Sequence, residues 1–423
     1  MSIKKTSVLN CSVALAMLAI SSTTWATNGY FQHGYGVKSQ GMAGVGIALP
    51  QDGLAAATNP AGQAFVGDRA DLGLTWFVPK RGAEVVGNPM ISGSYDGNET
   101  RNFFIPEFGY VKQVTPALAA GVAVYGNGGM NTDYSRNPFA GFGSTGTAYM
   151  NMEQLFIAPA LAWKVTPQQS LGVALNLAYQ RFSIKGLGAF ANPMFSSDTA
   201  HVTDRGTDTS TGAGVRLGWT GQVLPSLTLG ATWASKTRMG KLDKYRGLFA
   251  EQGSFDVPAN YGVGVAWKPL GAQDALTLAL DVQRIEYSGV KSVGNSLANL
   301  FAGNPLGSNN GGGFGWRDVT ATKLGVSYEA SRDLTLRAGY SHNTQPIPAD
   351  QTMFNIIAPG VIKEHLSLGG SWKIGTGELS AAYTHAFKNT VNGSGSIPAM
   401  MGGGEANLHL KEDIFGVAWG WKL

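Results

Sequence analysis

One pattern recurs along the chain: a large apolar side chain at every second position. Leu171, Val173, Leu175, Leu177 and Tyr179 alternate with Gly172, Ala174, Asn176, Ala178 and Gln180. The same period appears at Val215, Leu217 and Trp219, at Tyr261, Val263, Val265 and Trp267, and at Leu276, Leu278, Leu280 and Val282. It returns at Leu334, Leu336, Ala338 and Tyr340, and at Phe415, Val417, Trp419 and Trp421. A period of two predicts strands with one apolar face. The alternate face is Gly, Ala, Ser and Thr with a few charges, which suits a lumen wall whose bulky face is turned to lipid.

The interruptions sort into two kinds. Short turns fall at 114–117, 165–168, 223–226, 268–271, 329–332 and 373–376, most with Tyr110, Trp163, Trp219, Trp267, Tyr328 or Trp372 a few residues earlier. Long polar stretches lie near 81–100, 130–147, 188–208, 242–254, 289–313, 343–361 and 388–405. Short turns at one end, long loops at the other and aromatics at a constant height predict a transmembrane barrel. Six short turns join twelve strands, and one further strand at each end makes fourteen. The expected fold is therefore all-β, a 14-stranded antiparallel transmembrane β-barrel over 69–423.

The N-terminus changes the compartment. Lys4 and Lys5 precede an apolar run at 13–20 and small residues ending at Ala26, the pattern of a signal peptide over 1–26. The apolar run is far shorter than the roughly 20 residues that span a bilayer. The single cysteine, Cys11, falls in this segment, so a thiol nucleophile or disulfide framework is not expected in the mature chain. Residues 27–68 are rich in small side chains and do not alternate. They predict a compact hatch in the lumen, with a periplasmic tail as the other reading. Charge is nearly balanced, with 31 Lys and Arg against 27 Asp and Glu, which argues against a nucleic-acid partner. Charged residues are only 14% and glycines number 59, an odd composition for a soluble enzyme.

The hatch segment resembles that of the FadL-type outer-membrane transporters of long-chain fatty acids, a family that includes channels for toluene and xylene. The resemblance rests on GVKSQGMAG at 36–44, the stretch at 52–57, and the triplet Asn59-Pro60-Ala61 ahead of the first strand. Residues 122–134 (VAVYGNGGMNTDY) are similar to the family's kinked third strand. FDVP at 255–258 with YGVGVAW at 261–267 is similar to its eighth, and GWRD at 315–318 and RAGY at 337–340 to later strands. The resemblance implies passive uptake of hydrophobic molecules across the outer membrane of a Gram-negative bacterium, with long-chain fatty acids as the expected cargo. It also implies capture by extracellular loops, gating by the hatch and sideways exit at the third-strand kink. A channel for neutral aromatic or aliphatic hydrocarbons, or a general porin, are the alternatives.

Each step has candidate residues. Pro60 restricts Asn59 to an extended conformation, from which its side chain can pin the hatch, and Gly41, Gly44 and Ala61 complete that set. Gly126, Asn127, Gly128 and Gly129 are the kink, because glycine permits bulges. Phe190, Met194 and Phe195, with Leu248 and Phe249, are apolar clusters in polar loops and are expected to form an exposed capture groove, with packing of the loops on each other as the other reading. Strand parity turns Arg216, Lys323 and Arg337 into the lumen, where a ligand carboxylate would gain a charge-assisted bond. Pairing of these cations with Asp281, Glu107 or Glu378 is the structural alternative. No His among His33, His201, His342, His365, His385 and His409 has spacing tied to a nucleophile, so no enzyme, metal or cofactor is expected. The expected partners are hydrophobic small molecules, outer-membrane lipids and the barrel insertion machinery, with the protein a monomer.

Overall fold

The computed structural model describes residues 28–271 and 273–423. The expected signal peptide lies outside the described residues. Among them, the strands form one antiparallel sheet that closes on itself. Two short pieces, Gly93–Asp96 and Arg238–Met239, are additions, and fourteen strands make the barrel. These are β1 (Arg69–Val86), β2 (Phe103–Gln113), β3 (Leu118–Tyr134), β4 (Ala148–Thr166), β5 (Gln169–Lys185), β6 (Asp208–Leu224) and β7 (Leu227–Ala234). They continue with β8 (Asn260–Trp267), β9 (Leu276–Ile285), β10 (Val319–Glu329), β11 (Leu334–Asn343), β12 (Glu364–Ile374), β13 (Gly377–Val391) and β14 (Glu405–Lys422). Closure is by β1 on β14, in register from Arg69↔Lys422 to Val86↔Glu405. A closed ladder leaves no sheet edge in hydrocarbon, where unpaired backbone groups are costly.

The six short turns lie where alternation predicts them, and the long loops occupy the other rim. The alternating apolar row of β5 is exposed from Leu171 to Tyr179, as are Val263 on β8, Leu324 on β10 and Val417 on β14. In water such a surface would be a liability; against lipid it is the matching face. Trp163, Trp267, Tyr328, Trp372 and Trp421 are exposed near the short turns, at the height of an interfacial aromatic belt.

Residues 28–68 occupy the lumen as short helices, Val37–Gln40, Ala55–Thr58 and Gln63–Val66, with a 3₁₀ turn at Pro60–Gly62. No stretch here is long enough to be stable as an isolated helix. The barrel supplies the partners instead. Gln40 bonds Thr75 of β1 (3.1 Å), Ser170 of β5 donates to the Ala61 carbonyl (2.7 Å), and Asp281 of β9 accepts from the Gly46 and Ile47 amides (2.8 and 2.9 Å).

The wall is not uniform. Pairing of β2 with β3 runs from Gln113↔Ala119 to Phe108↔Val124 and stops. On its other side β3 stays paired with β4 as far as Tyr134↔Ala148, through a bulge between Gly126 and Gly128. The second half of β3 therefore presents an edge that β2 does not cover.

Candidate functional site

Asn59 sits at the bottom of the hatch in an extended conformation (φ −146°, ψ 106°), as expected of a residue before proline. Its amide nitrogen donates to the Ile47 carbonyl (2.8 Å), the Trp219 carbonyl (2.9 Å) and the Thr220 hydroxyl (3.0 Å). Its oxygen accepts from the Ala61 amide (3.1 Å). One side chain thus ties two hatch segments to β6. Gly41 lies against Gly369 of β12, with about enough room for backbone alone. Gly44 has φ +84°, and a Cβ there would sit 1.8 Å from the His33 carbonyl oxygen, so only glycine serves.

The open edge of β3 is covered by the hatch's first residues. Phe31 makes an antiparallel bridge with Gly128. The Gly129 amide donates to the Tyr30 carbonyl (3.0 Å), and the Gln32 amide donates to the Asn127 carbonyl (3.0 Å). The Tyr35 hydroxyl reaches the Asn127 side chain (3.1 Å). A Cβ on Gly128 would stand 1.9 Å from the Tyr30 carbonyl oxygen, so this close approach requires glycine. Three residues of hatch backbone, Tyr30 to Gln32, do here what β2 does lower down.

The three lumen cations all face inward and are all engaged. Lys323 Nζ donates to the His33 carbonyl (2.9 Å), the Gly44 carbonyl (3.4 Å) and the Gln283 side chain (3.3 Å). Arg216 donates to the Thr58 carbonyl (3.2 Å), Thr232 (3.3 Å) and Asn260 (3.4 Å). Arg337 donates to Gln51 (3.0 Å) and Ser371 (2.6 Å). The sequence offered Asp281, Glu107 and Glu378 as their partners. Asp281 stands opposite Lys323 in the β9–β10 ladder and accepts hatch amides, Glu107 accepts from the Gly36 amide (3.1 Å), and Glu378 pairs with Lys38 of the hatch. Carboxylates and cations of the wall alike are turned to the hatch. Next to Lys323, His33 of the hatch stacks on His365 of β12 (5.0 Å between centroids). Burial holds the His33 imidazole well below the usual histidine range, and the neighbouring His365 and Lys323 push the same way.

A plugged barrel, a third strand that loses its neighbour at a glycine bulge, and an Asn-Pro turn pinning the plug are now together. The profile of outer membrane protein transport proteins (OMPP1/FadL/TodX) matches residues 17–418. The chain belongs to the FadL/TodX family. It is an outer-membrane β-barrel that transports hydrophobic molecules. Among solved structures, the Pseudomonas putida toluene transporter TodX is 18% identical, with a TM-score of 0.66 over 92% of this chain and 99% of that one. A Pseudomonas aeruginosa FadL homologue is 17% identical, with a TM-score of 0.69 over 93% and 99%. The Ralstonia pickettii toluene transporter TbuX is 19% identical, with a TM-score of 0.64 over 92% and 98%. No curated protein sequence matches.

The loops of this FadL/TodX barrel correct one expectation. Phe190, Leu248 and Phe249 were expected on an exposed groove, but they are 0%, 3% and 3% accessible. Phe190 packs on Phe139, Phe195 and Phe354, and Phe249 on Phe182 and Phe255. Loops 186–207 and 235–259 are tied together by Ser196 on the Gly247 carbonyl (2.7 Å), while Phe190 is covered by Phe139 and Phe354 of two further loops and Phe249 by Phe182 of β5 and Phe255. Phe195 is half-buried at their rim, and Met194, 66% accessible, is the one of the five that stands free.

Alternation alone could not find what lies beneath those loops. Tyr30 is enclosed by Phe31, Phe255, Tyr287 and Trp316, with centroids 5.1–6.1 Å away. The Tyr287 hydroxyl accepts from the Tyr30 amide (3.1 Å) and donates to the Asn28 carbonyl. Trp316 is held by its indole N–H on Asn355 (2.6 Å). These residues come from the hatch and three separate loops, so no local spacing reports them.

Proposed function

We propose that this channel takes up small neutral aromatic molecules, which enter between the long loops and leave sideways through the gap between β2 and β3. The carrying observation is that Arg216, Lys323 and Arg337 are each bound to hatch or wall acceptors, while an aromatic box stands above them. A fatty acid would need a donor for its carboxylate, and these three are engaged. An apolar ring needs only burial and edge-to-face neighbours. Two of the similar solved structures, TodX and TbuX, are named as toluene transporters, in line with this choice.

In this reading, Met194 and the rim of Phe195 form the landing surface. Phe190, Leu248 and Phe249 are the apolar floor beneath it. The ligand displaces Tyr30 from the box, and the same movement unpairs Phe31 from Gly128 and opens the gap. Asn59, Pro60 and Ala61 hold the rest of the hatch seated, so small polar solutes stay excluded. Long-chain fatty acid uptake is the second reading, favoured by the likeness to the FadL homologue. The test is expression in an outer-membrane strain lacking its own such channels, with toluene and oleate offered separately. Toluene uptake above the vector control, without oleate uptake, is expected. Oleate uptake that falls in Arg337→Gln would establish the second reading. Free passage of small sugars would make the barrel a porin.

A further inference from the structure

Building on the reading of this barrel as a channel for aromatic molecules, we propose that Glu412 makes it selective for those that carry a hydroxyl. The carboxylate accepts the hydrogen bond of a phenolic ligand at the lumen side of the wall gap.

The inward row of β14 reads Ala406, Leu408, Leu410, Glu412, Ile414, one carboxylate in an apolar series. Glu412 is 0% accessible, and among the described residues neither of its oxygens has a hydrogen-bond partner. Glu412 stands opposite Pro79 of β1, and Arg81, the next inward residue of that strand, makes its hydrogen bonds elsewhere. Arg81 donates to the Asn131 carbonyl (2.9 Å), the Pro79 carbonyl (3.4 Å), the Thr100 carbonyl (2.8 Å) and the Asn131 side chain. No ion pair joins it to Glu412 among the described residues.

The space beside the carboxyl is lined by Phe77, Pro79, Arg81, Met130, Asn131, Leu410 and residues 358–360, and measures about 20 Å³. That is room for one water-sized group. A hydroxyl fits there, and the ring it belongs to would lie over Phe77 and Met130 once Pro359 moves aside. The position is on the route. Met130 belongs to the half of β3 that β2 leaves uncovered. Gly360, at the other side of the space, lies against Trp316 of the aromatic box. The space beside Glu412 thus touches both the uncovered half of β3, through Met130, and the box, through Gly360.

A buried carboxylate without donors is costly, and the cost is relieved when a ligand brings one. A phenolic O–H does so by donating a hydrogen bond to the carboxyl oxygen. Toluene brings no donor. Sites with a buried polar group reject the analogue lacking its partner far more strongly than apolar pockets reject a missing methylene.

The test uses toluene and p-cresol, which share ring and methyl group and differ by the hydroxyl. Uptake of each radiolabelled compound is measured in cells expressing the full chain, Glu412→Leu or Glu412→Gln, with heat-modifiable gel mobility reporting the folded barrel. Wild type should favour p-cresol. In Glu412→Leu the p-cresol to toluene ratio should fall about tenfold, equivalent to about 1.4 kcal/mol, with toluene uptake kept or raised. Glu412→Gln, which retains a weaker acceptor, should fall in between, and carries the test if the leucine variant does not fold. Toluene uptake with an unchanged ratio in a folded variant overturns the role of Glu412 and leaves the channel reading standing. Uptake of neither compound by wild type overturns both.

Discussion

β5 and β3 are both 17-residue strands with an alternating pattern, and the barrel treats them differently. β5 is paired on both sides along nearly its whole length, with β4 and with β6. β3 is paired with β2 only up to Val124; beyond it the hatch, at Gly128, and residues 97–99, at Asp133, take its place. The difference is one of permanence. β2 is tied into the sheet by its other neighbour, β1, so its bonds to β3 open only with the barrel. The hatch piece is held by a few backbone bonds and by Tyr30 and Phe31 in the aromatic box, none of them part of the closed ladder. The proposed sideways exit requires that piece to leave.

The sharpest way to break that comparison is at Gly128. In Gly128→Val the side chain competes with the Tyr30 carbonyl for the gap, and toluene uptake should drop about tenfold, as for a barrier of about 1.4 kcal/mol. Leu175→Val, on the lipid row of β5, is the control and should leave uptake within about twofold. Equal effects of the two would mean that the second half of β3 has no special part. Next comes the hatch anchor. Asn59→Ala removes three donated bonds and one accepted bond, leaving buried carbonyls unpartnered, which costs about 2–4 kcal/mol of hatch seating. Purified barrels in liposomes should then leak a small charged solute that wild type excludes, and a tight variant would refute the anchoring role.

A smaller effect is expected at Lys323. Lys323→Gln loosens the seat around His33 and Gly44 but should not change the ratio of oleate to toluene uptake, because the ammonium serves the hatch. A selective loss of oleate would return it to ligand binding. The smallest effect is a pH trend. His33 is buried with its folded pKa held below the unfolded value of 6.5, so its neutral form stabilises the seat above that pH. As pH falls below 6.5 the unseated histidine binds a proton that the seated one resists, and seating weakens. Limited proteolysis of the hatch should therefore accelerate from pH 7 to pH 5.5 more in wild type than in His33→Asn. Parallel curves would assign the trend to other groups.

Much of the wall was legible beforehand. A side chain on a barrel strand has only two faces to choose from, so parity along Leu171–Tyr179 or Val215–Trp219 reports lipid or lumen without knowledge of any partner. The placement of Arg216, Lys323 and Arg337 in the lumen follows from the same count. What they bind does not, since the acceptors are carbonyls of Thr58, His33 and Gly44, hundreds of positions away in the chain for Lys323. The loops show the reverse failure. Phe190 and Phe249 look exposed in their polar surroundings because local composition carries no record of the remote rings, Phe139, Phe354 and Phe182, that cover them. Glu412 lies between these cases: its inward direction is readable from Leu408 and Leu410, but its lack of a partner depends on where Arg81 turns.

Alternation, turn spacing and the small-residue segment before Arg69 determined by themselves that this chain forms a fourteen-stranded barrel with material to fill it, because a period of two and a closed ladder are local and cumulative properties. Only the tertiary structure decided that the hatch backbone completes the wall beside Gly128, that the lumen cations serve the hatch, and that rings from four distant segments meet around Tyr30. Those are encounters between remote parts of the chain, and their energies come from contacts that no single stretch of sequence contains.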